Sequence, residues 1–232
     1  MNENDSLETL FAGLAAEPAQ LRAPFKFLDA YSAADRPLFF GRDNEIRDLY
    51  ARFYRSRVLL VYGESGTGKT SLIECGLRSE IPAEEALFVT VRTAQDPFEA
   101  VRWALHRVLG YEEPAAGFSQ QVRAVIEQKN KTLVLVFDQF EEFFLFQPAS
   151  VRQAFAQAVR DGLDQNGNFR LVIGLREEYL ARATELEPYW PGLFRNRLWI
   201  RHLARTDAEA AIVGPCEICG VTLEEELVPH IL

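Results

Sequence analysis

Apolar residues are distributed along this chain in short continuous runs that alternate with stripes at helical spacing. The continuous runs cover residues 58–62, 87–91, 132–137, 171–175 and 198–200. Runs of this length predict strands buried on both faces, and the intervening stripes predict helices. Strands that alternate with helices indicate parallel pairing through crossover connections. We therefore predict an α/β fold with three layers, built on a parallel five-stranded sheet.

Several helix starts are marked by capping patterns. Asp96 and Pro97 are followed by an acid, which is typical of a helix with a side-chain N-cap and proline at its first position. Capping-box patterns at Ser150, Thr206 and Thr222 predict three further helix starts.

The pattern divides the chain into three parts. Residues 1–37 are rich in Ala, Pro and charge, with one short helical pattern between Leu7 and Leu14, and they predict an N-terminal arm. Residues 38–205 carry the alternating strands and helices of the main domain. Residues 206–232 predict the beginning of an all-helical lid subdomain. Its last apolar face has nothing after it to pack against, so we expect the chain to be a fragment of a longer protein.

Composition narrows the classes of protein that fit. The 232 residues suffice for one large domain with a substantial core. A formal charge of −9 argues against nonspecific nucleic-acid binding, which needs many Lys and Arg side chains against phosphates. Three cysteines are too few for a disulfide framework, and no apolar run approaches a membrane span. We expect a cytoplasmic protein that does not enter a membrane.

A phosphate-binding motif follows the first predicted strand. The residues read GESGTGKT and precede a predicted helix, which is the setting of a P-loop. Its glycines let successive backbone N–H groups surround a β-phosphate at a helix N-terminus. Lys69 would reach the β- and γ-phosphates, and the Thr70 hydroxyl would ligate Mg²⁺. The predicted phosphate-binding residues are Gly63, Glu64, Ser65, Gly66, Thr67, Gly68, Lys69, Thr70 and Ser71.

The third predicted strand supplies acids for the same site. It ends in Asp138, which is the Walker B pattern, and Asp138 is predicted to hold Mg²⁺ opposite Thr70. Glu141 and Glu142 follow, and either is placed to orient or activate the attacking water. The sequence does not choose between them. The alternative is an acidic helix start without a catalytic role.

The fourth predicted strand ends in Arg176, which is a candidate γ-phosphate sensor. An Arg paired with a nearby surface acid is the alternative. Further along, a basic stretch stands out in an acidic chain. One interpretation is that one of these arginines acts in trans as an arginine finger in an oligomer. The alternative is that the stretch forms a solvated or salt-bridged face. Its members are Arg195, Arg197, Arg201 and Arg205.

These motifs together resemble the novel STAND NTPases, which are signal-transduction ATPases related to AAA+ proteins and to apoptotic and plant-resistance ATPases. The resemblance rests on residues 24–46 (PFKFLDAYSAADRPLFFGRDNEI), the P-loop, FDQFEEFF and LREEYLARA. It implies ATP or ADP with Mg²⁺ as ligands. It also implies that Phe39, Phe40, Gly41 and Arg42 lie on the base side of the nucleotide. An ordinary loop into a helix is the alternative for these residues.

The resemblance further implies a molecular switch in which ADP holds a closed form and ATP permits opening and self-association, with an association to antiviral defence in bacteria. The family places sensor repeats or effector domains elsewhere in the polypeptide, and this chain contains none. Two rival functions remain at this point. One is an AAA+-like motor or loader that acts on nucleic acid or protein, and the other is a noncatalytic scaffold that depends on a bound nucleotide.

Overall fold

The computed structural model describes residues 23–110, 117–224 and 226–231. Five parallel strands form one sheet in the order β2-β3-β4-β1-β5, which confirms the predicted sheet. The strands are β1 (Val58–Gly63), β2 (Ala86–Val91), β3 (Thr132–Phe137), β4 (Phe169–Arg176) and β5 (Arg197–Trp199).

The order of the strands places the candidate residues at one edge of the sheet. β4 lies between β1 and β3, so the P-loop strand and the Walker B strand are separated by one inserted strand. Gly63 at the end of β1 is level with Arg176 at the end of β4. Ligands of open parallel sheets bind at the carboxyl ends of the strands. The predicted site residues therefore meet where they can act together.

Helices cover both faces of the sheet. Neighbouring residues of β1 point to opposite faces: Leu60 belongs to the larger apolar core and Val61 to the smaller one, and both are fully buried. This is the two-sided burial that the continuous apolar run predicts. The helices are α1 (Asp43–Arg55), α2 (residues 69–80, with a π-helical stretch Leu72–Leu77), α3 (Pro97–Leu109), α4 (Phe118–Lys129), α5 (Glu141–Phe146), α6 (Ala149–Gln165), α7 (Leu180–Ala183), α8 (Arg205–Cys219) and α9 (Leu227–Ile231), with short 3-10 helices at Ala33–Leu38, Glu177–Tyr179 and Thr184–Leu186.

The start of α3 confirms its predicted cap. The Asp96 side chain accepts hydrogen bonds from the backbone N–H groups of Phe98 and Glu99, and Pro97 occupies the first turn. Two backbone donors that lack helical partners are satisfied in this way. Asp96 therefore fixes where α3 begins.

The other three predicted capping boxes are wrong. α6 begins at Ala149 after an extended Pro148, and α8 begins at Arg205 after an extended Ala204, so Ser150 and Thr206 lie inside their helices. In both cases an extended backbone one residue earlier sets the start and no side chain caps it. Residues 222–224 have no regular structure, so no helix begins at Thr222.

The described part of the predicted arm is attached to the domain. The backbone N–H of Tyr31 donates to Ser71 Oγ at 3.1 Å, beside the P-loop. The 3-10 helix Ala33–Leu38 then leads to the motif at Phe39 and Phe40. The helical pattern predicted between residues 7 and 14 lies outside the described residues. Among the described residues, no helix combines the length and apolar character that a membrane crossing needs.

Candidate nucleotide-binding site

The P-loop has a backbone that its glycines make possible. Gly66 and Gly68 have φ angles of +81° and +85°, in the left-handed region that side chains rarely adopt. Gly63 has a different reason, because a Cβ there would lie 2.1 Å from the carbonyl oxygen of Ile200. Thr67 closes the loop by donating from its hydroxyl to Glu64 O at 2.9 Å. These angles and contacts fix the curled backbone of the loop.

Lys69 folds back over this loop. Its Nζ donates to the carbonyl oxygens of Gly63 at 2.9 Å and Glu64 at 2.6 Å. Burial lowers the pKa of Lys69 from its ordinary value, and the nearby carboxylate of Glu141 opposes that shift. The ammonium therefore lies at the mouth of the loop, where a phosphate would take over its hydrogen bonds.

Thr70 and Asp138 meet across the site. Thr70 donates from its hydroxyl to Asp138 Oδ1 at 2.9 Å, and Asp138 is 5% exposed. No group of three or more His, Cys, Asp or Glu side chains is arranged to hold a metal within the described ranges. Two hard oxygen atoms fit Mg²⁺ nonetheless, because Mg²⁺ is held by one or two protein oxygens together with water and substrate phosphates. Thr70 and Asp138 are thus suited to it.

The two candidate acids have different surroundings. Glu141 is 5% exposed, lines the cavity beside the P-loop, and pairs with Arg176 at 2.9 Å between Oε1 and Nε. It also accepts from the Arg176 backbone N–H at 3.3 Å. Within the described part of the chain, Glu142 is not among the residues that line this cavity, and its Oε2 is buried without a hydrogen-bond partner. The geometry therefore favours Glu141 as the acid that meets a substrate.

A tight turn aims Glu141 at the cavity. Gln139 has a φ angle of +53°, in the left-handed region, and it turns the chain sharply between β3 and α5. The Phe140 N–H then donates to Gly174 O at 2.9 Å, which ties the turn to β4. Because Glu141 follows directly, it faces the end of β4, where Arg176 lies.

Two cavities meet at the P-loop. The first, of about 370 Å³, contains the carboxylates of Asp138 and Glu141 together with Lys69 and Arg176, so it is the candidate γ-phosphate cavity. The second, of about 420 Å³, lies on the other side of the loop and is largely apolar or aromatic in its lining. Both include Tyr31, Gly66, Gly68 and Ser71. The second cavity is lined by Tyr31, Leu38, Phe39, Phe40, Arg42, Gly66, Thr67, Gly68, Ser71, His202, Leu203 and Ala211.

Arg42 braces the second cavity. Its Nη2 donates to Thr67 O at 2.8 Å and to Arg201 O at 2.9 Å, and its Nη1 pairs with Glu45 at 2.7 Å. The guanidinium is buried and ties the P-loop to the segment after β5. Gly41, next to it, has no space for a side chain, because a Cβ would lie 2.2 Å from Asp207 O. These two residues hold the cavity wall in place.

Some residues of the site carry no motif. Lys26 and Tyr31 line the γ-phosphate cavity, and the imidazole of His202 lies 3.2 Å from Glu64 of the P-loop. They come from distant parts of the sequence, so only the resemblance over residues 24–46 pointed near the first two. By contrast, none of the four arginines of the basic stretch lines either cavity among the described residues.

A third and larger cavity, of about 610 Å³, lies between α8 and α9. It contains none of the P-loop or Walker B residues. Size alone does not identify a phosphate site, because phosphate recognition needs N–H donors and cations. The nucleotide site is therefore assigned to the two smaller cavities.

Comparisons with known proteins identify the family and the fold. A family model described as Novel STAND NTPase 1 matches residues 24–232. No curated protein sequence matches the chain. A Walker-type ATPase of Pyrococcus abyssi superposes with a TM-score of 0.64 at 10% identity, over 90% of this chain and 66% of that one.

Two further structures share the fold. The Aeropyrum pernix ORC1 protein in complex with DNA has a TM-score of 0.57 at 18% identity, over 84% of this chain and 54% of its own. AMPPCP-bound DnaA from Aquifex aeolicus has a TM-score of 0.52 at 16% identity, over 89% of this chain and 61% of its own. The chain thus spans between about half and two thirds of these proteins, and the likeness shows a P-loop NTPase fold.

Proposed function

The chain belongs to the novel STAND NTPase 1 family, and we propose that it binds ATP and ADP with Mg²⁺ and hydrolyses ATP slowly, as a molecular switch. One observation carries the proposal. A single cavity collects a P-loop lysine, a Thr70–Asp138 pair and a Glu141–Arg176 pair. These are the parts that phosphoryl transfer to water requires: a phosphate cradle, oxygens for a metal, an acid and a cation.

Binding uses the P-loop and both cavities. The N–H groups of the loop and of the start of α2 surround the β-phosphate, and the Lys69 ammonium moves from loop carbonyls to phosphate oxygens. Mg²⁺, when bound, neutralises charge on the β- and γ-phosphates, and Thr70 and Asp138 would hold it. The base takes the aromatic side near Phe39 and Phe40, where ring faces and apolar walls suit a flat heterocycle.

Hydrolysis requires the Glu141–Arg176 pair to separate. Arg176 turns toward the γ-phosphate oxygens, and Glu141 is left to orient a water and accept its proton. The water oxygen bonds to the γ-phosphorus while the bond to the bridging oxygen breaks, which gives ADP and phosphate. The proton returns from Glu141 to phosphate or solvent.

The same pair explains how the two nucleotides would differ in effect. ADP offers no γ-phosphate, so the 2.9 Å contact between Arg176 and Glu141 can persist. ATP offers Arg176 a new partner. A ligand shifts a conformational equilibrium only through unequal contacts with the two states, and this contact is unequal. Opening and self-association on ATP, and a role in bacterial antiviral signalling, belong to the proposal on the strength of the family alone.

The test compares nucleotide content and turnover. We expect the purified chain to retain or bind ADP or ATP, and to hydrolyse ATP with a Mg²⁺ requirement. Lys69→Ala should weaken binding by about ten- to hundredfold, the range for a lost charged hydrogen bond. Thermal unfolding of the variant checks that it folds. Absence of ATP and ADP binding at millimolar concentration in the wild type contradicts the proposal.

The same measurement separates the rival functions. Steady turnover that DNA, RNA or an unfolded protein stimulates would favour a motor or loader. Nucleotide binding without any turnover would favour a noncatalytic scaffold. Particle mass measured with ADP and with a non-hydrolysable ATP analogue tests self-association, which we expect only with the analogue.

A further inference from the structure

Residues 26–31, here called the strap, cross the γ-phosphate cavity. All six line it, as do Asp138, Glu141 and Arg176. Of these six residues, Tyr31 alone also lines the second cavity, beside Phe39 and Phe40, which is here called the base-side cavity. The strap therefore forms part of the wall of the cavity to which the proposed function assigns the γ-phosphate.

Two attachments hold the strap. At its end, the Tyr31 N–H donates to Ser71 Oγ at 3.1 Å. At its start, Lys26 Nζ donates to Asp35 Oδ2 at 2.7 Å. The same oxygen accepts from the Ser32 N–H at 2.8 Å and the Ser32 hydroxyl at 2.6 Å. The Lys26–Asp35 contact closes a small loop, and it is the attachment that a ligand can replace.

Lys26 is one of three cations that line this cavity, with Lys69 and Arg176. Each holds a partner within the protein: Lys69 the loop carbonyls, Arg176 the carboxylate of Glu141, and Lys26 the carboxylate of Asp35. The Lys26 side chain is about one-third exposed, so it has room to turn. A flexible lysine can move between a carboxylate and a phosphate at small cost, because both are hard anionic acceptors.

We propose that Lys26 is a further γ-phosphate ligand, which leaves Asp35 for the γ-phosphate when ATP binds and so closes the strap over ATP but not over ADP. The inference rests on the proposed function, since it requires that this site take ATP. Closure would also displace Phe27 and Leu28, which follow Lys26 and are 95% and 87% exposed. The exposed side chains of Phe27 and Leu28 would then have different positions with ATP and with ADP in the site.

Two substitutions should act in opposite directions. Lys26→Gln removes the cation and leaves a polar side chain that is one bond shorter, so we expect binding of AMPPNP, an ATP analogue with a γ-phosphate, to weaken about tenfold. ADP binding should change less than twofold. Asp35→Asn releases Lys26 while its amide oxygen still accepts from Ser32, so the preference for AMPPNP over ADP should rise. Lys131→Gln is the matched control, because Lys131 precedes β3 at the other end of the sheet.

Isothermal titration of the full chain with ADP and with AMPPNP, both with Mg²⁺, gives these ratios. The outcomes separate the two proposals. A wild type that binds neither nucleotide overturns the proposed function. A wild type that binds both, while Lys26→Gln keeps the wild-type ratio of affinities, overturns the role of Lys26 alone. Equal losses for AMPPNP and ADP would also overturn it, since they indicate a structural role for the lysine.

A second test uses the wild-type protein and needs no variant. The chain has four lysines, at positions 26, 69, 129 and 131. Acylation with acetic anhydride, read by peptide mass spectrometry, should modify Lys26 more slowly with AMPPNP than with ADP. Lys129 and Lys131 serve as internal controls and should react equally in both states. An equal rate at Lys26 in both states contradicts the inference.

Discussion

Glu141 and Glu142 have identical side chains in adjacent positions, and the fold makes them unequal. Glu141 faces Arg176 in the cavity, and Glu142 buries an oxygen without a partner. A carboxylate that does not reach the substrate cannot accept the proton of the attacking water. The proposed chemistry therefore depends on the turn at Gln139, which determines which of the two acids faces β4.

Glu141→Gln should lower ATP turnover by about a hundredfold or more, because general-base assistance contributes at least that much. Nucleotide affinity should change little, since the amide still packs in the same place. Glu142→Gln should leave turnover within a few-fold of the wild type. Single-turnover hydrolysis and ATP affinity, measured for both variants, check this. The reverse order of effects would mean that Glu142 is the base.

Asp35 has a pKa lowered to about 2, first by the hydrogen bond from Lys26 and then by those from Ser32. A carboxyl group with a lowered folded-state pKa stabilises the fold above its unfolded pKa of about 4 and loses that contribution as the pH falls through about 2. The strap attachment should thus persist at neutral pH. NMR titration should give a low pKa for Asp35, and Lys26→Gln should raise it. An unchanged pKa in that variant would mean that the contact is absent in solution.

Residues in local motifs were predictable, and residues that meet over long distances were not. The P-loop and Asp138 carry their chemistry in a short spacing beside a strand. Lys26 reaches the site through a loop that the sequence does not mark, and its partner Asp35 is nine residues away. Arg42 was predicted near the base, and its guanidinium braces Thr67 O and Arg201 O. Hydrogen bonds to distant carbonyls leave no pattern in sequence.

At the scale of elements, strands were more predictable than helix starts. A continuous apolar run requires burial on both faces, and β1, β3 and β4 meet that requirement. Helix starts depend on the backbone of one residue. Pro148 and Ala204 are extended and occupy the N-cap positions, two residues before the predicted caps Ser150 and Thr206. Of the four predicted caps, Asp96 alone has a side chain that satisfies helix donors.

The contact of α8 with the base-side cavity is very close. A Cβ on Gly214 would lie 2.7 Å from the ring of Phe40. We expect Gly214→Ala to force α8 away from this ring, at a cost of about 1–3 kcal/mol for overpacking, offset by about 1 kcal/mol of helix propensity. The melting temperature should fall by about 2–6 °C, and nucleotide affinity should fall with it.

Gly167→Ala is the control for this change. Gly167 has no atom within 4 Å of an added Cβ and lacks a positive φ angle. Its substitution should stay within about 0.5 kcal/mol of the wild type. Differential scanning calorimetry measures the melting temperatures of both variants and of the wild type. If the melting temperature of Gly214→Ala equals or exceeds that of the wild type, the ring of Phe40 moves aside for the added methyl group. The close contact would then not fix the position of α8.

At the scale of the whole molecule, a nucleotide would connect parts that the chain order keeps apart. The phosphates would lie where β1 and β4 end. The base-side cavity includes Leu203, just before α8, and Ala211, within α8. The sheet holds the first set of residues rigidly. Leu203 and Ala211 are held through Arg42, which donates to Arg201 O, and through the close packing of Gly41 against Asp207 O. A bound nucleotide should therefore restrict α8 more than it restricts the sheet.

Hydrogen exchange measures this expectation directly. With ADP, amides near Leu203–Ala211 and in the P-loop should exchange about tenfold or more slowly, because binding adds RT ln(1 + [L]/Kd) to the free energy of any opening that releases the ligand. Amides at residues 129–133 and 166–169 lie at the opposite end of the sheet and should change only if they exchange by global unfolding. Protection confined to the P-loop would show that ADP does not link α8 to the sheet. In that case the switch could not use α8 to report the nucleotide, and the strap alone would have to distinguish ATP from ADP.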